Sequence, residues 1–271
     1  MAELKGLVRA LCEGDDPAKA AAARALGNFA YNNSANKAAI AKARGIPPLV
    51  DLLRDGSAKA KEDAARTLSS LACSIANGVL IVADGAISPL IDLLRDGSAD
   101  AKLWAATALR KVAGDNDANR VLIAEAGGIP PLVKLLRDGS AIVKLEAALA
   151  LRHLAYRNDN EVLIAEAGGI PPLVDLLRDG GAHANGWTAE ALVLLACNHD
   201  ANAVTVAMAV SLDALVELAR HGRVTFEGRR LSSNAGGPAK RKAALVVAAL
   251  LGGFVPDSVP RVIMAVIGSY L

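Results

Sequence analysis

The stretch EAGGIPPLVKLLRDG at residues 125–139 returns almost letter for letter as EAGGIPPLVDLLRDG at residues 166–180. Its closing LLRDG also occurs at residues 52–56 and 93–97, so that copies follow one another every 41 or 42 residues. A fixed period of this length is the sequence signature of a stacked-repeat architecture. The repeat therefore determines the predicted fold, and the helix start and stop signals are interpreted repeat by repeat.

Each repeat divides into three predicted helices by its start and stop signals. Helix one is predicted to follow an Asn whose side chain accepts amide hydrogens of the first turn. A glycine in the left-handed conformation is predicted to end this helix. The Asn residues are Asn36, Asn77, Asn119, Asn160 and Asn202, and the glycines are Gly45, Gly85, Gly128 and Gly169.

Helix two is predicted to begin at a proline, because the first turn of a helix has no intrahelical acceptor for the amide hydrogen that proline lacks. These prolines are Pro47, Pro130 and Pro171, and the apolar face of one such helix is formed by Leu132, Val133, Leu135 and Leu136. Helix three follows an Asp-Gly turn and is predicted at residues 58–72 and 141–155 in two of the repeats. No repeat can bury its apolar face alone, so stacking is expected to supply a continuous core.

The repeats are predicted to form one solenoid over residues 1–271. The first repeat starts directly in a helix-two equivalent, LVRALCEG at residues 7–14, and LVELARHG at residues 215–222 marks a divergent sixth repeat. The predicted boundaries are 2–31 for the truncated first repeat, then 36–73, 77–114, 119–156 and 160–197, then 202–253 for the sixth repeat with a basic insertion at 223–239, and 254–271 for a C-terminal cap.

The 41-to-42-residue period, the GIPPLV start of helix two and the ALxxLA close of helix three together resemble armadillo repeats over about residues 4–220. The resemblance implies an all-α, right-handed alpha-alpha superhelix, an armadillo repeat solenoid of about six repeats. Vacuolar-type scaffold proteins of plants and fungi have similar GIPPLV-rich repeats and are the nearest resemblance. The two-helix HEAT repeat is the alternative fold.

Composition and motifs argue against catalysis. The chain has 53% hydrophobic but only 3% aromatic residues, a net charge of +2, and three Cys without a CxxC pair, which fits a reducing compartment. The GxGxxG, GxxxxGK[ST], GxSxG and HExxH motifs are absent. The expectation is therefore no catalytic residue, no cofactor and no metal site. The most apolar window, residues 243–255, is shorter than the roughly 20 residues that span a bilayer.

Partner specificity is predicted to reside on helix three, because the third helices differ widely while helix two is nearly constant. The resemblance implies that helix three lines a concave groove in which a ladder of Asn residues binds the backbone of an extended peptide. The ladder positions are Asn28, Ser70, Lys111, His153 and Leu194, and the positions one turn earlier are Arg24, Arg66, Thr107, Leu149 and Glu190. Only the first repeat keeps the Asn.

Trp104 and Trp187 lie seven residues before the ladder position of their repeats, hence on the same stripe of helix three. Each is predicted to stack on a side chain of the bound peptide, with packing between repeats as the alternative.

Charge on this stripe changes along the chain, because Arg24, Arg66 and Lys111 come before Glu146 and Glu190, with Asp63 as an exception. This order predicts a ligand that is acidic at one end and basic or apolar at the other. Solvated surface charge is the alternative.

The predicted insertion forms a basic loop. Residues 220–242 contain seven Lys or Arg and one acidic residue, Glu227. Such a loop can contact acidic protein, phospholipid or nucleic acid, or serve as a localisation signal. The alternative is that its charges only increase the solubility of the protein. Its candidate residues are Arg223, Arg229, Arg230, Lys240, Arg241 and Lys242.

The predicted function is a protein-interaction scaffold or adaptor that binds an extended peptide segment in the groove of helix three. A nuclear transport receptor or a ubiquitin-ligase adaptor is the alternative, and an enzyme ranks third. The expected location is the cytoplasm, with the nucleus or the periphery of an organelle membrane as alternatives. No nucleic-acid partner and no membrane span are expected, and the oligomeric state stays open.

Overall fold

The computed structural model describes residues 2–114, 116–179, 181–197, 199, 201–202, 205–206, 225–226 and 229–230. The chain divides into two compact units, Met1–His153 and Leu154–Leu271. The predicted C-terminal cap and nearly all of the predicted sixth repeat lie outside the described residues. Where the chain is described, it folds into successive groups of short α-helices, and one hairpin has two strands of two residues each.

The first unit contains a two-helix repeat followed by three three-helix repeats. Its helices are α1 Ala2–Glu13, α2 Asp16–Ala30, α3 Ser34–Lys42, α4 Ile46–Asp55, α5 Ala58–Leu71, α6 Ile75–Ala83, α7 Ile87–Asp96, α8 Ala99–Ala113, α9 Asp117–Glu125, α10 Ile129–Asp138 and α11 Ala141–Leu154, whose last residue falls in the second unit. The third helices, α2, α5, α8 and α11, begin and end within one residue of the predicted bounds where these were given.

The second unit contains α12 Asn158–Glu166, α13 Ile170–Asp179 and α14 Gly181–Cys197. Two strands, β1 Thr225–Phe226 and β2 Arg229–Arg230, pair antiparallel within the predicted insertion. The sequence analysis did not predict this hairpin.

Helix two begins and ends where the repeated motif predicts. Proline stands in the first turn of α4 and α10, and serine residues are the N-caps of the third helices α5 and α8. The Ser57 and Ser98 hydroxyls accept hydrogen bonds from the amides of Ala60 and Ala101. The apolar face of helix two is buried, and the first-unit core is continuous because α2 contacts α5 and α5 contacts α8.

The prediction that the repeated Asn residues cap helix one is wrong. The N-caps of α3 and α9 are Asn33 and Asn116, three residues earlier. The repeated Asn lies inside the helix, and its side-chain amide donates to a backbone carbonyl of another helix. The bonds are Asn36 to Phe29, Asn77 to Lys37, Asn119 to Val112, Asn160 to Leu154 and Asn202 to Glu161. These residues thus tie helix one to the end of the preceding helix three or to the preceding helix one.

The predicted left-handed glycine is right only for Gly85, with φ of 80°. Elsewhere the left-handed residue comes one position earlier, at Arg44, Gly127 and Gly168, with φ of 55°, 76° and 72°. The following Gly45 and Gly128 have φ of −78° and −74°. Their amides donate to the carbonyls of Ile40 and Ile123, each at 2.9 Å, which completes the hydrogen-bonded helix end.

Among the described residues, no single helix is both long and apolar enough to cross a membrane. The pair α6 and α7 reaches that length and composition only jointly, with a bend of 85° between the two helices.

Candidate functional site

The third helices of the first unit carry most of the predicted site residues. Helix α2 contacts α5, and α5 contacts α8, while an ion pair between Arg110 and Glu146 joins α8 to α11. We call the half-exposed side chains of these four helices the helix-three face. Trp187, Glu190 and Leu194 lie on α14 in the second unit.

An acidic residue at the α2 end of the helix-three face is buried beneath two cations. Asp63 is only 2% exposed, and its carboxylate lies 3.1 Å from Arg24 Nη2 and 3.6 Å from Lys59 Nζ. A buried carboxylate requires such partners because its ionised form loses hydration. Arg24 and Lys59 remain 49% and 56% exposed. Sequence reasoning missed Lys59, although its position four residues before Asp63 on a helix was a usable signal.

Arg66 connects two positions that the sequence analysis treated separately. Its guanidinium carbon lies 5.7 Å from the ring centroid of Trp104, within cation–π range. Its Nη2 donates to Asn28 Oδ1 at 3.4 Å. The stacking partner of Trp104 in this structure is therefore an Arg of the chain itself, and that contact lies between neighbouring repeats.

Three other polar side chains at and near the ladder positions bind backbone carbonyls. Lys111 Nζ donates to the carbonyl of Ser69 at 2.8 Å, in the last turn of α5, where a cation is favoured by the helix dipole. The hydroxyl of Ser70 donates to the Arg66 carbonyl at 3.2 Å, and that of Thr107 to the Leu103 carbonyl at 2.8 Å. Leu149 on α11 is half-buried.

The acidic residues predicted for the far end of the groove have neighbours within their own unit. Glu146 Oε2 accepts a hydrogen bond from Arg110 Nε at 2.8 Å, and both side chains are mostly buried. In the second unit, the hydroxyl of Tyr156 donates to Glu190 Oε1 at 2.7 Å, and Glu190 is buried.

Glu62 adds a third carboxylate to this arrangement. Its side chain is 16% exposed and accepts hydrogen bonds from Lys59 and from Ser98 Oγ, the latter at 2.8 Å. Burial raises the pKa of Glu62, but the bonds from Lys59 and Ser98 outweigh it and hold that pKa below its ordinary value of 4.5. The hydrogen bond to Glu62 raises the pKa of Lys59. Asp63 and Glu62 are thus largely buried, whereas Arg24 and Lys59 beside them are about half exposed.

A cavity of about 200 Å³ adjoins the helix-three face between the third and fourth repeats. Its lining includes Lys111 and His153, which are successive ladder positions, together with Arg110, Gly78 and Asn119. The exposed thiol of Cys73 also lines it.

A larger cavity, of about 540 Å³, lies where α4 and α7 meet the starts of α5 and α8. Its lining is of mixed charge and includes Lys61, Asp92 and Asp96.

Two further predictions, on metal sites and on the basic loop, can be compared with the structure only for the described residues. In the described part of the chain, no group of three or more His, Cys, Asp or Glu residues is arranged to hold a metal ion. Of the basic loop, Arg229 and Arg230 lie in β2, although their side chains are not described. Arg223, Lys240, Arg241 and Lys242 lie outside the described residues.

Residues 33–73 and 116–156 match the armadillo/beta-catenin-like repeat. Among solved structures, the designed armadillo repeat protein YIII(Dq)4CqI is 26% identical, with a TM-score of 0.75 over 92% of this chain and 99% of that chain. Computationally designed armadillo repeat proteins for modular peptide recognition give 26% identity and a TM-score of 0.76 over 91% of this chain and 99% of that chain.

A third similar structure is a designed armadillo repeat protein in complex with the peptide (KR)4. It is 27% identical to this chain, with a TM-score of 0.74 over 92% of this chain and 99% of that chain. No curated protein matches the chain at a significant level.

These similarities support a protein-binding scaffold, a role for which the armadillo solenoid is typical and which requires no catalytic site. The two matched repeats share the helix order of the repeat between them, and the structural matches extend over more than nine-tenths of the chain. The chain therefore has the armadillo repeat fold, and residues 33–73 and 116–156 match the armadillo repeat itself.

Proposed function

We propose that this protein is an adaptor that binds an extended, acid-rich segment of another protein along the helix-three face of its first unit. The observation that carries the proposal is the unequal exposure of the two kinds of charge. Arg24 and Lys59 are about half exposed, whereas the Asp63 carboxylate between them is buried. An approaching ligand therefore meets cations first.

Charged side chains farther along the helix-three face differ in their pairing. Arg66 and Lys111 are partly exposed and form no ion pair in the described part of the chain. Glu146, by contrast, is ion-paired with Arg110. The acidic end of the predicted ligand thus corresponds to α2, α5 and α8, and complementary charge there favours both encounter and register.

An extended segment suits this arrangement because equivalent positions recur from repeat to repeat. A peptide backbone in extended form also repeats its geometry, so that successive side chains can meet successive third helices. The designed protein solved with (KR)4 carries a basic peptide. We expect the opposite preference here, because Arg24 and Lys59 are more exposed than the carboxylate between them.

The test compares two pools of random peptides of equal length, one rich in Asp and Glu and the other rich in Lys and Arg. Binding of the purified chain is measured by surface plasmon resonance at two salt concentrations. We expect the acid-rich pool to bind roughly tenfold more tightly, with an advantage that shrinks in high salt because half-exposed charges are screened.

Two matched variants locate the binding. Arg66→Glu is expected to weaken the acid-rich pool roughly tenfold, since it reverses a charge on the helix-three face and removes the Trp104 stack. Lys134→Glu makes the same change in net charge on the exposed side of α10 and is expected to have little effect. An equal loss of affinity in both variants, or tighter binding of the basic pool than of the acid-rich pool, would contradict the proposal.

A further inference from the structure

We propose that the cavity between the third and fourth repeats is a receptor for a phosphorylated serine or threonine side chain of the bound segment. The inference rests on the proposed function, because it assumes that a segment lies along the helix-three face. The cavity measures about 200 Å³, and Arg110, Lys111 and His153 contribute to its lining. Its residues all belong to the first unit.

The position of the cavity places it on the path of the segment. Lys111 and His153 occupy successive ladder positions, one on α8 and the other on α11. A segment that follows the third helices therefore passes the cavity between these two residues. One side chain can enter it while the backbone continues along the face.

The cavity wall carries hydrogen-bond donors from two adjacent cations. Arg110 uses Nε to bind Glu146, and within the described part of the chain its two terminal Nη groups donate no hydrogen bond. Lys111 uses one of its N–H groups to bind the carbonyl of Ser69. Guanidinium and ammonium N–H groups are the side-chain donors that bind phosphoryl oxygens most strongly.

The partial negative charges of two helix ends near the cavity are compensated by cations. Helices α5 and α8 end beside the cavity, and their terminal carbonyls carry partial negative charge. Lys111 binds one carbonyl at the end of α5, and Arg120 donates to the carbonyls of Ala113 and Gly114 at the end of α8. Cations thus oppose both helix ends, and the neighbouring carboxylate of Glu146 is already bound by Arg110.

A phosphoryl group fits these donors better than a carboxylate does. It carries a charge of about −1.5 to −2 at neutral pH and offers three terminal oxygens, whereas a carboxylate carries one charge and two oxygens. N–H groups from two adjacent side chains, Arg110 and Lys111, can bind more than one of these oxygens at once. The ligand class is therefore a phosphoserine or phosphothreonine within an acid-rich segment.

The experiment uses the full chain and three acid-rich peptide pools that differ only in a central phosphoserine, aspartate or serine. Affinity is measured by fluorescence polarisation. The phosphoserine pool is expected to bind roughly tenfold more tightly than the serine pool, and also more tightly than the aspartate pool. Lys111→Gln is expected to remove most of this advantage, whereas Lys134→Gln, which also removes one positive charge, is expected to preserve it.

A second variant blocks the cavity and leaves every charge in place. A Cβ atom at Gly78 would lie 4.0 Å from the nearest side-chain atom, Val112 Cγ1, so there is room for a side chain. Gly78→Gln also replaces a glycine inside α6, which favours the helix. It is expected to abolish the phosphoserine advantage while the serine pool still binds.

The outcomes separate the two proposals. Binding of the serine pool without any phosphoserine advantage would overturn the cavity inference and leave the adaptor function standing. Equal binding of the aspartate and phosphoserine pools would overturn the phosphoryl assignment. Failure of all three pools to bind would overturn the adaptor function and the inference with it.

Discussion

Arg44 shows how a single residue can depart from the rule that its repeat follows. It ends α3 at φ of 55°, in the position that Gly85 and Gly127 occupy at 80° and 76°. A side chain in this conformation costs about 1–2 kcal/mol, because its Cβ crowds the following carbonyl. The sequence could not reveal this cost, since Gly45 directly follows and makes the junction resemble the others.

We expect Arg44→Gly to raise the free energy of unfolding by roughly 0.5–1 kcal/mol, as relief of the backbone strain exceeds the added chain entropy of glycine. Urea unfolding followed by circular dichroism measures the change. Gly127→Ala is the matched control and should lower stability by about 1–2 kcal/mol. Its new Cβ would lie 3.5 Å from Arg95, an ordinary contact, so that the loss would report the backbone alone. Destabilisation by Arg44→Gly would contradict the assignment of backbone strain to Arg44.

At the scale of elements, ion pairs between neighbouring third helices decide which charges face solvent. The pairs Arg24–Asp63 and Arg110–Glu146 join α2 to α5 and α8 to α11. Sequence reasoning placed Arg24, Asp63 and Glu146 on helix three but did not single out Arg110. It could not pair them, because the partners come from different repeats and their contact depends on how adjacent helices are rotated.

Glu62 links the third helices α5 and α8. Its carboxylate accepts a hydrogen bond from the hydroxyl of Ser98, which also caps α8. Its pKa is held below 4.5 in the folded chain, because the bonds from Lys59 and Ser98 outweigh the opposing effect of burial. The unfolded chain therefore takes up a proton at Glu62 first as the pH falls. Stability from the Glu62 carboxylate is present above pH 4.5 and is lost below it, as the pH passes through the folded-state pKa.

We accordingly expect Glu62→Gln to unfold at lower urea concentration than the wild type at pH 7, with a difference that shrinks as the pH falls below 4.5. Urea unfolding of both proteins at a series of pH values measures it. Glu125→Gln makes the same charge change at an exposed end of α9 and is expected to have a small effect. A difference for Glu62→Gln that grew on acidification would contradict the account.

At the scale of the whole molecule, the repeat period was sufficient to predict the fold class and most helices. Several repeats carry the same proline and Asp-Gly signals, so that a weak signal in one repeat can be interpreted from the others. The prediction was poorer where hydrogen bonds between helices determine the role of a residue. The Asn residues inside helix one, such as Asn119, resemble caps in sequence but act as ties between helices, and the β1–β2 hairpin lies in a segment without the repeat signals.

The central claim is that an acid-rich segment lies along the helix-three face, and Trp104 provides the most direct test. The chain has two tryptophans, so that its proton–nitrogen NMR spectrum contains two indole signals, and Trp104→Phe assigns the relevant one. The tightest acid-rich peptide is titrated into the labelled chain. We predict that the Trp104 indole signal shifts in step with binding, because the peptide reaches the Arg66 stack. Saturable binding that leaves this signal unchanged and shifts amides of helix one or helix two instead would contradict the claim.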